Sequence, residues 1–277
     1  MCLGVFPGRN ACFSFRLISM LPLVIVQART GSTRLPNKML MPFHDGESVL
    51  RILLRRLVEA KANLRVADVV VATTSNPKDD AIVALCDSLG VKTYRGSESD
   101  VLQRFIDAAK FFHATEIIRV CADNVFLDVE ALGVLARMLE TSELDYVSFR
   151  TSEGKPSILT HYGFWAEGVK LSALEKAARM TDESLYHEHV TNYIYNSREL
   201  FRIALSPIEE AVPGIEAHPD LRLTMDTMDD FLTQQIIYKA LSERGQALTP
   251  RNIIAFLDSE RPDLYEKMRN NIMKNTK

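Results

Sequence analysis

Short apolar runs alternate with helical stripes along the first half of the chain. Leu23-Val24-Ile25-Val26, Val69-Val70-Val71-Ala72 and Ile117-Ile118-Arg119-Val120 each have the length and continuity of a strand buried on both faces. Between them the period changes. Leu50, Leu53, Leu54, Leu57 and Val58 make one helical stripe, and Ile82, Val83, Cys86 and Leu89 make a second that stops at Gly90. Val101, Leu102, Phe105, Ile106 and Ala109 make a third. Strand and helix therefore alternate from about residue 22 to 140, which predicts an α/β fold: a mostly parallel sheet with helices on both faces. In such a sheet, ligands bind beyond the carboxyl ends of the strands.

After Glu140 the pattern breaks up. Short strand-like stretches surround a polar turn at Ser152-Glu153-Gly154-Lys155-Pro156, and helices are predicted over Leu171 to Met180 and Ser184 to Asn196. This 145–219 stretch reads as a small inserted lobe within one domain that spans 20–277. Leu221-Arg222-Leu223-Thr224 then predicts a further strand, and an amphipathic helix opens after Thr227 and runs to about Arg244. Asp229 and Asp230 fall in its first turn, where acids suit a helix start. One or two peripheral helices close the chain.

Composition narrows the function classes. At 277 residues the chain can bury one large core, and a net charge of −3 with mixed signs offers no broad basic face to nucleic acid. Cys2, Cys12, Cys86 and Cys121 show no metal-binding spacing, which argues against zinc and disulfides and fits a cytoplasmic protein. No stretch holds the roughly 18 uninterrupted apolar residues that cross a bilayer, so no membrane partner is expected. Residues 1–19 lack both a charged start and a small-residue cleavage site, and Pro7-Gly8 interrupts them. They are expected to be a disordered or dispensable extension.

The densest chemistry lies directly after the first strand. Gln27-Ala28-Arg29-Thr30-Gly31-Ser32-Thr33-Arg34-Leu35-Pro36-Asn37-Lys38 places a Gly-Ser turn and three cations where the sheet presents ligands. Gly31 lets backbone approach closely, amides can point at phosphate oxygens, and the cations add charge-assisted bonds, so the loop suits a polyphosphate. Its spacing matches neither a Walker loop nor G-x-G-x-x-G. Asp123 follows one predicted strand and Asp226 another, which would bring two carboxylates to the same sheet edge. Two carboxylates with phosphates and waters meet the needs of magnesium.

The string Val26 to Lys38 closely resembles the nucleotide-binding signature of the cytidylyltransferase family, which includes synthetases of CMP-activated acylneuraminate and CMP-activated 3-deoxy-manno-octulosonate. The chain looks closest to the branch named for spore-coat polysaccharide biosynthesis protein F. Tyr94 to Leu102, Arg119 to Asn124, and Arg222 to Thr227 with Asp229-Asp230 carry the resemblance through most of residues 22–240.

The resemblance implies a Rossmann-like nucleotidyltransferase fold and transfer of CMP from CTP to a hydroxyl of an acidic sugar, with release of pyrophosphate, in surface polysaccharide biosynthesis. Arg29, Ser32, Arg34 and Lys38 would hold the triphosphate, and Ala28 would lie near the base. Arg95, Gly96 and Asp100, with Arg104 one turn on, sit where family members contact the nucleotide, although Asp100 could equally cap the next helix. Asp123 and Asp226 would be the ligands of Mg2+. Lys38, Arg29, Asp123 and Asp226 form the catalytic set.

Glu188-His189-Val190-Thr191 also matches the spore-coat branch, so His187 and His189, together with His161 and Tyr162, are candidates for an acceptor pocket. A homodimer is expected, with the 145–219 lobe as the interface. Two alternatives stay open: a metal-dependent glycosyltransferase of related architecture, which usually carries a D-x-D motif where this chain has Asp123-Asn124-Val125, and a non-catalytic nucleotide binder.

Overall fold

The computed structural model describes residues 21–141 and 143–275, so the 1–19 extension lies outside the described residues. The chain runs β1 (Leu23–Gln27), β2 (Pro42–His44), β3 (Glu47–Ser48), α1 (Val49–Leu64), β4 (Val69–Thr74), α2 (Asp80–Ser88), β5 (Lys92–Gly96), α3 (Val101–Phe111), β6 (Glu116–Cys121) and α4 (Val129–Thr141). It continues through β7 (Tyr146–Arg150), β8 (Glu167–Lys170), α5 (Leu171–Met180), α6 (Ser184–Glu188), α7 (Asn192–Asn196), β9 (Ile203–Pro207), α8 (Ile208–Ala211), α9 (Met228–Glu243), α10 (Pro250–Glu260) and α11 (Asp263–Lys274).

A seven-stranded sheet in the order β5-β4-β1-β6-β8-β7-β9 forms the centre. β1 pairs in parallel with β4 and β6, β4 with β5, and β7 with β9, while β8 runs against both of its neighbours. The period-2 alternation of β1 divides the core in two. Val24 and Val26 face one side, where they join Leu50, Leu53, Leu57 of α1 and Leu132 of α4. Leu23 and Ile25 face the other, with Phe105 and Ile106 of α3, Leu174 of α5 and Ile194 of α7. Burial on both faces explains the continuous apolar runs, each such side chain contributing about 1.5–3 kcal/mol.

Helix starts follow local chemistry. Ser48, Asp100, Thr227 and Thr249 each accept a hydrogen bond from a first-turn amide of α1, α3, α9 and α10. At Thr227 this is a full capping box, because the Asp230 carboxylate accepts the Thr227 amide in return.

Three expectations change. The 184–196 stretch is two short helices, α6 and α7, rather than one. The strands of the 145–219 stretch, β7, β8 and β9, belong to the central sheet. The predicted strand at 221–224 is no strand: Leu221, Leu223 and Met225 are fully buried, but the segment pairs with a loop, since the amides of Leu223 and Thr224 both donate to the His161 carbonyl, at 2.8 and 3.2 Å. Gly163 permits this approach. Its φ is +69°, and a Cβ there would stand 2.6 Å from the Leu223 carbonyl oxygen. Apolar alternation therefore marked a buried extended segment correctly, while its partner offers no ladder.

Candidate nucleotide-binding cleft

The strand order reverses at β1, between β4 on one side and β6 on the other, so the loops after β1 and β6 diverge and leave a crevice. A cleft of about 440 Å³ opens there, lined by Gln27, Arg29, Ser32, Arg34, Lys38, Arg119, Asp123, Glu188, His189 and Asp226, among others. Its walls come from the loop after β1, the ends of β1 and β6, the segment after 225, and α6.

The loop after β1 is anchored by a residue that sequence reasoning missed. Asp79, buried below the loop, accepts the Thr30 amide at 2.8 Å and the Thr30 hydroxyl at 2.6 Å with one oxygen, and the Thr74 amide and hydroxyl with the other. Burial alone would push the Asp79 carboxyl up, but these four hydrogen bonds hold it below the usual carboxylate range. In the sequence Asp79 looks like an ordinary acid at a helix start, so nothing singles it out. Beyond Thr30 the loop turns back through Asn37, whose φ is +57°, and the Asn37 amide donates to the Thr30 carbonyl at 3.1 Å.

The cations and acids of the cleft are paired. The Lys38 ammonium, buried, donates to Asp123 Oδ2 at 2.6 Å and to the Met225 carbonyl. Arg34 Nη2 donates to Asp226 Oδ1 at 2.6 Å, and the buried Arg222 donates Nη2 to Asp226 Oδ2 at 2.9 Å. The contacts from Lys38 to Met225 and from Arg34 to Asp226 span 187 and 192 residues. Asp226 thus reaches the same cleft as Asp123, but from the end of the 221–225 segment rather than from a strand. Its backbone is fixed from behind, where the Asp230 carboxylate accepts the Asp226 amide at 2.9 Å and Arg222 Nε at 2.7 Å. Burial opposes the charge on Asp230, yet these bonds keep its carboxyl below the usual range. Asn271 of α11 adds a donor to Asp230 at 2.5 Å and to the Thr227 hydroxyl at 2.8 Å.

The other candidate residues divide between the cleft and its supports. Arg29 reaches Glu188 at 3.5 Å and the Glu98 carbonyl at 3.5 Å. Ser32 lines the cleft, Gly31 lies against Glu98, and Ala28 is buried, its amide donating to the Ala72 carbonyl at 3.3 Å. Arg95 is not among the lining residues; it staples the 74–80 turn through the carbonyls of Thr74 and Asn76 and the Asp80 carboxylate. Asp100 caps α3 through the Gln103 amide at 2.8 Å and holds His187 Nδ1 at 2.7 Å. Tyr162 is buried edge-on against Trp165. His161 stands behind Arg222, which donates to its Nδ1 at 2.9 Å. Burial and then the Arg222 charge hold the His161 imidazole below its ordinary pKa. Of the histidines proposed for an acceptor pocket, only His189 lines the cleft.

His187 faces two acceptors, the Thr181 carbonyl at 2.9 Å and Asp100, and these, with Asp182 nearby, raise its pKa above the ordinary 6.5. A raised folded pKa stabilises the fold fully below pH 6.5, and this contribution is lost as pH rises through the folded value. The stability gap between wild type and His187→Asn should therefore be widest in mild acid and close in mild alkali. Denaturation midpoints across that range that keep a constant gap would show that His187 makes no charged bridge.

A second buried group was visible in the sequence but not interpreted. Arg119 interrupts an apolar strand, and a buried cation demands a buried partner. Glu167 of β8 supplies it, ion-paired to Arg119 and also accepting the hydroxyls of Tyr146 and Thr191. Arg119 Nη2 donates to Gln27 Oε1 at 3.0 Å, which fixes both side chains in the cleft floor. Burial opposes the charge on the guanidinium, but the ion-paired Glu167 carboxylate outweighs it and the net direction is up.

Residues 23–268 match the cytidylyltransferase family. The chain belongs to the cytidylyltransferase family. This cytidylyltransferase is 40% identical over 237 residues to the uncharacterised protein MJ1063 of Methanocaldococcus jannaschii, covering 84% of this chain and 89% of that one. It is 33% identical over 224 residues to the spore coat polysaccharide biosynthesis protein SpsF of Bacillus subtilis, covering 80% and 88%. Among solved structures, a cytidylyltransferase from Leptospira borgpetersenii superposes with a TM-score of 0.75 at 26% identity, over 91% of this chain and 98% of that one. A CMP:2-keto-3-deoxy-manno-octonic acid synthetase complexed with CTP shares the fold, with a TM-score of 0.58 at 13% identity over 79% and 99%. The cytidylyltransferase described here is therefore an enzyme of the nucleotidyltransferase class with a Rossmann-like fold. No described helix is long and apolar enough to cross a membrane.

Proposed function

We propose that this enzyme transfers CMP from CTP to a hydroxyl of an acidic sugar, releasing pyrophosphate, as a step in surface polysaccharide biosynthesis. The observation that carries this reading is the gathering, at the switch point of the sheet, of Arg29, Arg34, Lys38 and Arg119 with Asp123 and Asp226 in one cleft. Four cations suit a triphosphate and an acidic acceptor together. The acceptor hydroxyl gives up its proton to water as its oxygen bonds to the α-phosphorus, the bond to the bridging oxygen breaks, and the pyrophosphate leaves with the electron pair. Arg29, Arg34 and Lys38 bind and orient the phosphates, and their charge compensates the transition state without a covalent step. Glu188 and His189 of the facing wall border the acceptor.

Asp123 and Asp226 fit a divalent cation, for which we propose Mg2+. Among the described residues no three or more His, Cys, Asp or Glu side chains are placed to hold a metal ion together; one or two carboxylates completed by phosphate oxygens and water is the arrangement magnesium commonly takes. Bound there, the ion would neutralise charge on the triphosphate. The further proposal of a homodimer rests on Leu159, Met180 and Leu185, large apolar side chains of the 145–219 stretch that are exposed in the single chain.

Thermal protection tests the nucleotide. In magnesium, CTP at 100 times its Kd should stabilise the fold by about 2.7 kcal/mol, and ATP or GTP at equal concentration far less. Equal protection by ATP would remove the CTP assignment and leave the family membership intact. Pyrophosphate release across a panel of sugar acids then identifies the acceptor, and a panel that yields none would remove that class.

A further inference from the structure

We propose that Arg34 is an exchangeable cation: it occupies the cleft-side oxygen of Asp226 until a nucleoside triphosphate draws it away, so the cleft takes a divalent ion only together with the nucleotide. This rests on the assignment of Asp123 and Asp226 to the metal and of Arg34 to the triphosphate.

The carboxylates are already neutralised by the chain itself. Both oxygens of Asp226 carry a guanidinium, Arg34 on Oδ1 and Arg222 on Oδ2, and Asp123 Oδ2 carries the Lys38 ammonium. A divalent ion arriving alone would meet compensated acids and would be repelled by the nearby cations. The three pairs differ in how firmly they are held. Arg222 is buried and also bonded to Asp230 and His161, while Lys38 is buried and also bonded to the Met225 carbonyl. Arg34 has neither restraint. Its side chain is 39% exposed, and among the described residues the bond to Asp226 is the only hydrogen bond its guanidinium makes.

Arg34 also rides on the loop that carries Arg29 and Ser32 into the same cleft. A triphosphate offers that guanidinium several paired oxygens, a better partner than one shared carboxylate oxygen. When Arg34 turns to the phosphates, Oδ1 of Asp226 becomes available at the moment the ion arrives on those phosphates. Lys38, buried and held by both Asp123 and the Met225 carbonyl, meets the phosphates without leaving Asp123. The cleft thereby discriminates against free divalent ions without any further ligand.

Manganese titration of the full chain without nucleotide, read by the paramagnetic resonance signal of the free ion, tests this. Arg34→Gln should bind Mn2+ roughly tenfold more tightly than wild type, since it uncovers a carboxylate oxygen and removes a neighbouring positive charge. Arg34→Gln combined with Asp226→Asn should lose that gain. Arg34→Met serves equally should the glutamine variant fail to fold. Wild-type affinity for Mn2+ equal to that of both Arg34 variants would overturn the exchange, as would a gain that survives Asp226→Asn. The comparison uses no nucleotide, so a protein that CTP fails to protect would lose the proposed function while this result still decided the role of Arg34.

Discussion

Asparagine in place of Asp123 or Asp226 is expected to lower turnover about 10²- to 10³-fold at saturating CTP, the usual loss when one electrostatic contact to a phosphoryl transition state is removed. The amide is nearly isosteric, so the bonds that the Asp226 and Thr227 backbone amides donate to the Asp230 carboxylate should survive and the variants should stay folded. Lys38→Ala should behave differently from either. The lysine ties Asp123 to the Met225 carbonyl, so its loss would both weaken triphosphate binding and release the two acid-bearing segments from each other. Raising CTP should restore only part of its rate and none of the rate of the aspartate variants. Initial rates of pyrophosphate release separate the two patterns, and near-normal turnover for either asparagine variant at saturating CTP and limiting magnesium would eliminate the two-aspartate assignment.

Arg119→Met should produce the largest loss of stability, about 3–5 kcal/mol, because it leaves Glu167 charged and buried without its cation. Glu167 is 1% exposed, and among the described residues the Tyr146 and Thr191 hydroxyls would remain to it. For a chain of this size such a loss lowers the thermal midpoint by roughly 10 °C. Adding Glu167→Gln to Arg119→Met should recover much of the loss, since it removes the stranded charge; packing alone would predict a further fall. A single variant that melts within two degrees of wild type would mean that water reaches the pair.

The sequence carried the parallel half of the fold well because its physics is local and repetitive. Strands buried on both faces are dominated by apolar runs, as β1, β4 and all of β6 but Arg119 are between their ends, and the capped stripes of α1 and α3 announce their own starts. β5 escaped this reading: at the edge of the sheet Lys-Thr-Tyr-Arg-Gly buries little, so no apolar run marks it. The 145–219 strands read as a lobe because β8 runs antiparallel, and no local signal reveals which neighbour a reversed strand will join.

At the cleft, the phosphate loop was legible because one short segment contains all of its cations. The supports were not, since Asp79, Glu167 and Arg222 act on residues 49, 48 and 4 positions away and look like ordinary surface charges in the sequence. Arg119, a charge inside a continuous apolar run, advertised a hidden partner, whereas Arg222, in a segment that alternates apolar and polar residues, read as facing solvent. The placement of Arg95 shows the converse limit: a residue that sits where a family binds nucleotide can instead hold a turn together.

The long chain separation of the cleft contacts has a kinetic consequence. Lys38 meets Met225 across 187 residues and Arg34 meets Asp226 across 192, and closures of that span are entropically slow. The single tryptophan, Trp165, packs on Phe149, Tyr162 and Phe164, all within 16 residues of it in sequence. During refolding its fluorescence should therefore recover before CTP binding does, whereas simultaneous recovery would mean that both arise in one step. A chain arrested between those two events would look native by emission yet be inert, which makes nucleotide retention, rather than any optical signal, the proper measure of how much of a refolded sample is functional.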